Sequence, residues 1–236
     1  GCRFTSRDVP WCHEDNRGIC TMASADLIGY ISAALLMFMS IPQTIRAYRS
    51  GTAGVSAVTW WTIAVAISMW LVYGIRTDST VIVVANVASL SATAAMLLVL
   101  THASVDRWVA PALVIFSVLA LVVTAALFVP LLLVVAAAVC LPIVSRVPQL
   151  RQSFSNYRTG SRTSLSRLTW ILAAAGQFGW LIYGLILGDP ALITVNVVCV
   201  AMAIALVAAD IANPGNRAAP VDGVITAVRR TSVLDR

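Results

Sequence analysis

The sequence predicts an all-α polytopic membrane protein of seven transmembrane helices, built as two parallel three-helix bundles joined by a linker helix (3+1+3). Three observations carry that prediction: sparse and clustered charge, apolar runs of membrane-crossing length, and a repeat of the chain upon itself. Of 236 residues, 59% are hydrophobic and only 11% charged, against about 25% charged in soluble domains, which excludes an ordinary soluble enzyme. The 38 residues between Arg107 and Arg146 carry no charge. Further charge-free stretches run from Leu27 to Ile45, from Ser50 past Tyr73, from Ser79 to Ser104, from Leu168 to Gly188 and from Pro190 to Ala209. Each is long enough to span a bilayer, which takes ~20 apolar residues in a helix.

With Pro, Gly and charge as punctuation, the helices fall near 26–47, 57–76, 80–101, 108–128, 131–152, 167–187 and 190–210. Pro130 divides the long uncharged run into the fourth and fifth, because one helix of that length would far exceed the hydrocarbon thickness. The expected units are an extracytoplasmic N-terminal extension (1–25), a first three-helix repeat (26–101), a linker helix (102–129), a second repeat (130–210) and a cytoplasmic, disordered tail (211–236). Residues 1–21 contain neither the apolar centre nor the cleavage site of a secretory signal. Met22 stands just before the first span, so 1–21 are expected to be an upstream extension outside the native protein.

The net charge is +6 and every basic residue is Arg. The position of those arginines is what matters in a membrane protein. They gather after the first helix (Arg46, Arg49), before the fourth (Arg107), after the fifth (Arg151, Arg158, Arg162, Arg167) and in the tail (Arg217, Arg229, Arg230, Arg236). All these lie on one side, which the positive-inside rule makes cytoplasmic, so the N-terminus is expected outside and the C-terminus inside. The Ala-rich, Lys-free composition suggests a GC-rich bacterial genome and hence the inner membrane, and no nucleic-acid partner is expected. Cys2, Cys12, Cys20 and His13 match no close-paired zinc spacing, and no metal or other cofactor is expected. Cys140 and Cys199, inside apolar runs, are expected as small core residues.

The repeat is specific. Thr59-Trp60 recurs as Thr169-Trp170, Trp70 through Tyr73-Gly74 as Trp180 through Tyr183-Gly184, and Asn86-Val87 as Asn196-Val197, all at an offset of 110. Pro42-Gln43 recurs as Pro148-Gln149 at 106. Each repeat has three spans, an odd number, so the fourth helix returns the chain to the starting side and gives both bundles the same orientation.

These motifs resemble the SWEET sugar transporters and their single-repeat bacterial relatives, the SemiSWEETs, within the wider PQ-loop superfamily. The resemblance rests on Ser40-Ile-Pro42-Gln43, Val147-Pro148-Gln149 and the sixteen-residue Trp-to-Asn spacing in both halves, and it covers roughly residues 26 to 210. It implies a passive carrier that alternates between outward-open and inward-open states around one sugar site, with sugar and membrane lipid as partners and a homo-oligomer open. It also implies an outer gate of Tyr, Arg and Asp after each Trp. Tyr73, Tyr183 and Asp189 keep the family's steps, whereas Arg76 and Asp78 sit one residue early and Leu187 stands where the second Arg would fall. The prolines that plant SWEETs carry in the spans equivalent to helices 2 and 6 are absent here, which places the chain nearer the bacterial pattern.

The residues support a sugar site on their own chemistry. An Asn amide donates and accepts, as a hydroxyl-rich neutral ligand requires, and a Trp face packs against the C–H surface of a sugar ring. Asn86 and Asn196 lie inside their spans, so each needs a partner or a wet cavity. The alternative is a bond that only glues helices, but two asparagines at equivalent repeat positions, each with Trp70 or Trp180, favour a pocket. Pro42 and Pro148, with Gln43 and Gln149 beside them, interrupt helices 1 and 5 and offer hinges, or serve packing alone. Trp60, Trp61, Trp108 and Trp170 fall near span ends as interfacial anchors. Arg146, two residues before Pro148, is expected to snorkel to the cytoplasmic headgroups; the alternative is that it borders the inner cavity and favours an anionic ligand.

Two rival functions remain. A proton-coupled amino-acid carrier of PQ-loop type needs a titratable group in the path, yet Asp26, Asp210 and His102 are all terminal to their spans, which favours facilitated diffusion. A non-transporting receptor or assembly factor needs an exposed signal, and the tail shows none. An enzyme is not expected, because nucleophile-elbow, metalloprotease and phosphate-loop motifs are missing.

Overall fold

In a computed structural model the described residues are 12–52, 56–101, 107–161 and 167–214; for 12–22, 39, 42, 43, 46, 50, 167 and 168 only the backbone course is described. Seven helices follow one another: α1 (Cys12–Ser50), α2 (Ala57–Arg76), α3 (Thr80–Leu100), α4 (Val109–Leu127), α5 (Leu131–Thr159), α6 (Arg167–Leu187) and α7 (Pro190–Ala212). Among the described residues there is no strand. Six helices are long and apolar enough to cross a membrane, and α1 adds a shorter apolar stretch, Ala23–Phe38. Large apolar side chains point outward all over the surface, with Phe128 at 86% and Leu132 at 77% exposure. Such a surface suits acyl chains and not water.

Local chemistry sets the breaks. Ser56 caps α2 and Ser79 caps α3, while Asp189 caps α7 through the Ala191 and Leu192 amides, with Pro190 at the first position where its missing N–H costs nothing. Pro130 does separate α4 from α5. Gly160, at φ 65, ends α5 in the left-handed region.

Two helices are longer than hydropathy indicates. α1 begins at Cys12 and not near 26, and α5 runs to Thr159 and not to 152. Hydropathy detects the span, whereas a helix continues into polar sequence until something stops it, here Gly160 for α5.

The helices form a ring in the order α1, α3, α2, α5, α7, α6 and back to α1. Exchanging α1 with α5, α2 with α6 and α3 with α7 maps this ring onto itself, as two parallel repeats about one axis require. α4 stands outside the ring against α2 and α3. There it covers Trp60, which is 6% exposed in a cluster with Ala64, Met96, Leu97, Ile115 and Leu119. Trp60 is therefore a core residue and not an interfacial anchor, because α4 packs over the place where it would meet headgroups.

The α1–α6 contact is close because α6 presents glycines to it. A Cβ on Gly176 would lie 2.8 Å from Leu36, and one on Gly179 would collide with the Ser32 hydroxyl. Small residues let helix backbones approach where no hydrophobic effect drives them together.

Candidate functional site

The turns α2–α3 and α6–α7 lie at one end of the ring, here called the turn end. Trp70 is six residues before the end of α2 and Asn86 six residues into α3. Both therefore lie about 9 Å below the turn end, level with each other on adjacent antiparallel helices. The sixteen-residue spacing is thus the length of a hairpin that brings an indole and an amide to the same depth. Trp180 and Asn196 repeat the arrangement on α6 and α7, across the ring.

Each asparagine binds its own helix in the same way. Asn86 Nδ2 donates to the Ile82 carbonyl and Asn196 Nδ2 to the Leu192 carbonyl, both at 2.7 Å. The amide orientation is fixed, because a carbonyl can only accept, and Oδ1 is left without a partner among the described residues. Asn196 is 3% exposed, yet no buried side-chain nitrogen or oxygen described lacks a partner. Its free Oδ1 therefore opens on accessible space, as a hydroxyl-binding acceptor should.

At this level and above it the ring is packed shut. Tyr73, Val81, Ile82, Ala85, Trp180, Tyr183 and Leu192 form one buried cluster with Ala25 and Ala33 of α1, and Trp70, Leu131 and Val135 pack against it. All six ring helices contribute. Trp70 meets Tyr73 edge to face at 5.4 Å and 84°, and Trp180 meets Tyr183 at 5.4 Å and 87°.

Each tyrosine reaches the opposite repeat. Tyr73 OH donates to Asp189 Oδ2 at 2.7 Å, and Tyr183 OH shares a 3.2 Å bond with Ser79 Oγ. Ser79 and Asp189 are 110 residues apart, as are the tyrosines, so the two ties are one interaction written twice. A hydrogen bond to a carboxylate contributes about 1.5–3 kcal/mol and a neutral one about 0.5–1.5 kcal/mol, so the Asp189 tie dominates.

Of the residues named for the outer gate, the structure brings together Tyr73 with Asp189, and Tyr183 with a serine that the sequence reading passed over. It leaves Arg76 and Asp78 outside. Arg76 Nη1 donates at 2.6 Å to the Val129 carbonyl in the α4–α5 turn. Asp78 is exposed, at φ 52, and forms the α2–α3 turn. The offset of 110, continued past Gly74, already points to Ser79.

Pro148 and Gln149 are exposed on α5, and a second proline, Pro142, lies one and a half turns before. The side chains of Pro42 and Gln43 fall outside the described residues. Arg146 does not snorkel toward the far end. Its guanidinium turns back along α5, toward the turn end, and donates to the Pro142 carbonyl at 2.7 Å; it also lies within electrostatic reach of Cys199 on α7.

A mostly apolar crevice of about 370 Å³ between α3 and α4, lined by Val87, Leu90, Ser91, Phe116, Leu119 and Thr124, lies outside the ring and offers only two hydroxyl side chains.

A ring of six helices in two parallel repeats, with α4 beside it, defines the fold of a polytopic membrane protein. The solved 3.7 Å structure of a eukaryotic SWEET transporter has this fold: it superposes with a TM-score of 0.63 over 80% of this chain and 95% of that chain, at 17% sequence identity. No protein-family model and no curated protein matches the chain.

Proposed function

We propose that this protein is a passive carrier of small sugars, mono- or disaccharides, working by alternating access and not by catalysis. The observation that carries the reading is the level pair of Asn–Trp sites on opposite helices of the ring, roofed by reciprocal ties between the halves. An asparagine acceptor open to space and an adjacent indole suit a ligand with hydroxyls on its edge and C–H groups on its face. The likeness to a SWEET transporter supports the same class. Arg49, Arg151 and Arg158 lie toward the end away from the turns, which supports that end as cytoplasmic and the turn end as the outer gate; the Ala-rich, Lys-free composition supports a bacterial inner membrane as the location. One chain supplies both halves of the path.

Labelled glucose and sucrose are to be equilibrated with proteoliposomes without any ion gradient, comparing the unaltered chain with Asn86→Ala plus Asn196→Ala of verified fold. Gradient-independent uptake, reduced at least tenfold in the variant, is expected. Failure of folded protein to move any neutral or acidic sugar overturns the reading and directs the search to amino acids with an imposed proton gradient.

A further inference from the structure

We propose that Arg146 makes the pathway selective for a sugar bearing one negative charge, a carboxylated sugar, so that the site binds the hydroxyls at Asn196 and the carboxylate at the guanidinium. The inference rests on the sugar-transport reading and narrows its substrate class.

The argument begins with where the charge lies. Arg146 is fifteen residues into α5, which places its Cα about 22 Å from the turn end. Its side chain then turns back to the Pro142 carbonyl, about 16 Å from that end and near the middle of a ~30 Å hydrocarbon core. A guanidinium that only sought headgroups would extend the other way. No acidic side chain pairs with it among the described residues, and it is half-buried. An unpaired cation at this depth requires a water-filled cavity or an anionic ligand.

Its neighbours lie on the pocket helix. Cys199, within its electrostatic reach, is one turn beyond Asn196 on α7, and both are buried. The axial step from Asn196 to the guanidinium is about 7 Å, a length that a hexose ring with a terminal carboxylate spans. One Nη1 bond goes to Pro142, so the remaining donors of the fork are available to a carboxylate, whose two oxygens match them. A single positive charge balances a carboxylate, whereas a phosphate monoester, at about −1.5 to −2, leaves excess charge in low dielectric. The first repeat has no counterpart: Ser40 stands at the equivalent position, and its hydroxyl makes the equivalent bond to Leu36, at 3.5 Å.

The test is uptake of labelled D-glucuronate, D-glucose and glucose 6-phosphate by proteoliposomes holding the full chain, Arg146→Ser or Arg146→Lys. The unaltered protein is expected to move glucuronate, with glucuronate competing against glucose; this competition needs no variant and stands even if Arg146→Ser fails to fold. The glucuronate-to-glucose uptake ratio is expected to fall at least tenfold in Arg146→Ser and to be largely kept in Arg146→Lys. Glucose uptake without glucuronate uptake or competition overturns this inference alone, as does an unchanged ratio in folded Arg146→Ser. Preference for glucose 6-phosphate overturns the carboxylate assignment. Movement of none of the three by folded protein overturns the sugar-transport reading, and this inference with it.

Discussion

Asp78 stands in the α2–α3 turn where Gly188 stands in the α6–α7 turn, and both adopt left-handed backbone, at φ 52 and 65. For a non-glycine residue that conformation costs roughly 1–2 kcal/mol, although Asp tolerates it better than most. Asp78 is thus a turn residue, and the position that bonds across the repeats is its neighbour, Ser79. Asp78→Gly is expected to stabilise the protein by up to about 1 kcal/mol, the relief of strain less the larger chain entropy of glycine. Sugar uptake is expected to stay at the unaltered level. A collapse of uptake in folded Asp78→Gly would return Asp78 to the gate.

The two cross-repeat ties differ in strength, and the difference is measurable. Tyr73→Phe removes the bond to Asp189 while leaving the carboxylate to cap α7. Taking about 1.5–3 kcal/mol for a charged hydrogen bond, it is expected to raise the population open at the turn end about ten- to hundred-fold. Tyr183→Phe, losing a neutral bond, is expected to raise it about two- to tenfold. Labelling of an Ala85→Cys reporter by an impermeant maleimide, with Cys2, Cys12, Cys20, Cys140 and Cys199 all replaced, reads both. Equal labelling in the two variants would show that Asp189 does not dominate.

Gly74 and Gly184 test the repeat through packing. A Cβ on Gly74 would lie 2.8 Å from Ile82, and one on Gly184 would lie 2.8 Å from Leu192, again a pair at the offset of 110. Each Gly→Ala change is expected to cost about 1–3 kcal/mol, as overpacking of a filled core does, seen as a Tm several degrees lower in detergent. A Tm unchanged in both would mean that the hairpins are looser than the geometry here.

Pro148 separates hinge from packing. It is exposed, so its ring fills no core, but its missing N–H leaves the Val144 carbonyl without its helical donor. Pro148→Ala is expected to restore that bond, raise Tm by a few degrees and slow sugar exchange several-fold. Unchanged exchange with a raised Tm would leave the proline no role in motion.

The sequence made the ring's symmetry legible because both repeats spend their rare residues, Trp, Tyr, Gly and Asn, at the same places. Span number and the break at Pro130 followed from hydropathy and punctuation. The partner of Tyr183 was equally present in the register, as Ser79 at the offset of 110 from Asp189, but a serine beside a charged turn residue is not marked out by its type. Other features depend on packing that no single stretch encodes. The burial of Trp60 requires α4 to lie across α2 and α3, and the turn of Arg146 back to Pro142 on its own helix is a matter of rotamer and not of sequence pattern. The polar ends of α1 and α5 escaped because hydropathy marks where lipid begins and not where a helix stops.

Joining both halves in one chain has a consequence for how they can change. Two separate copies must find each other at each assembly, and any substitution then appears twice, mirrored across the axis. A linker makes the encounter intramolecular, at an effective concentration independent of dilution, and it lets the halves diverge. Ser79 faces Asp189 in register, Ser40 faces Arg146, and Gly176 and Gly179 face Ala66 and Met69. An arginine at both positions 40 and 146 would put two like charges at equivalent depths of one ring. α4, which packs mainly on α2 and α3 and reaches α5 through Ala126, is the tether that lets the halves differ.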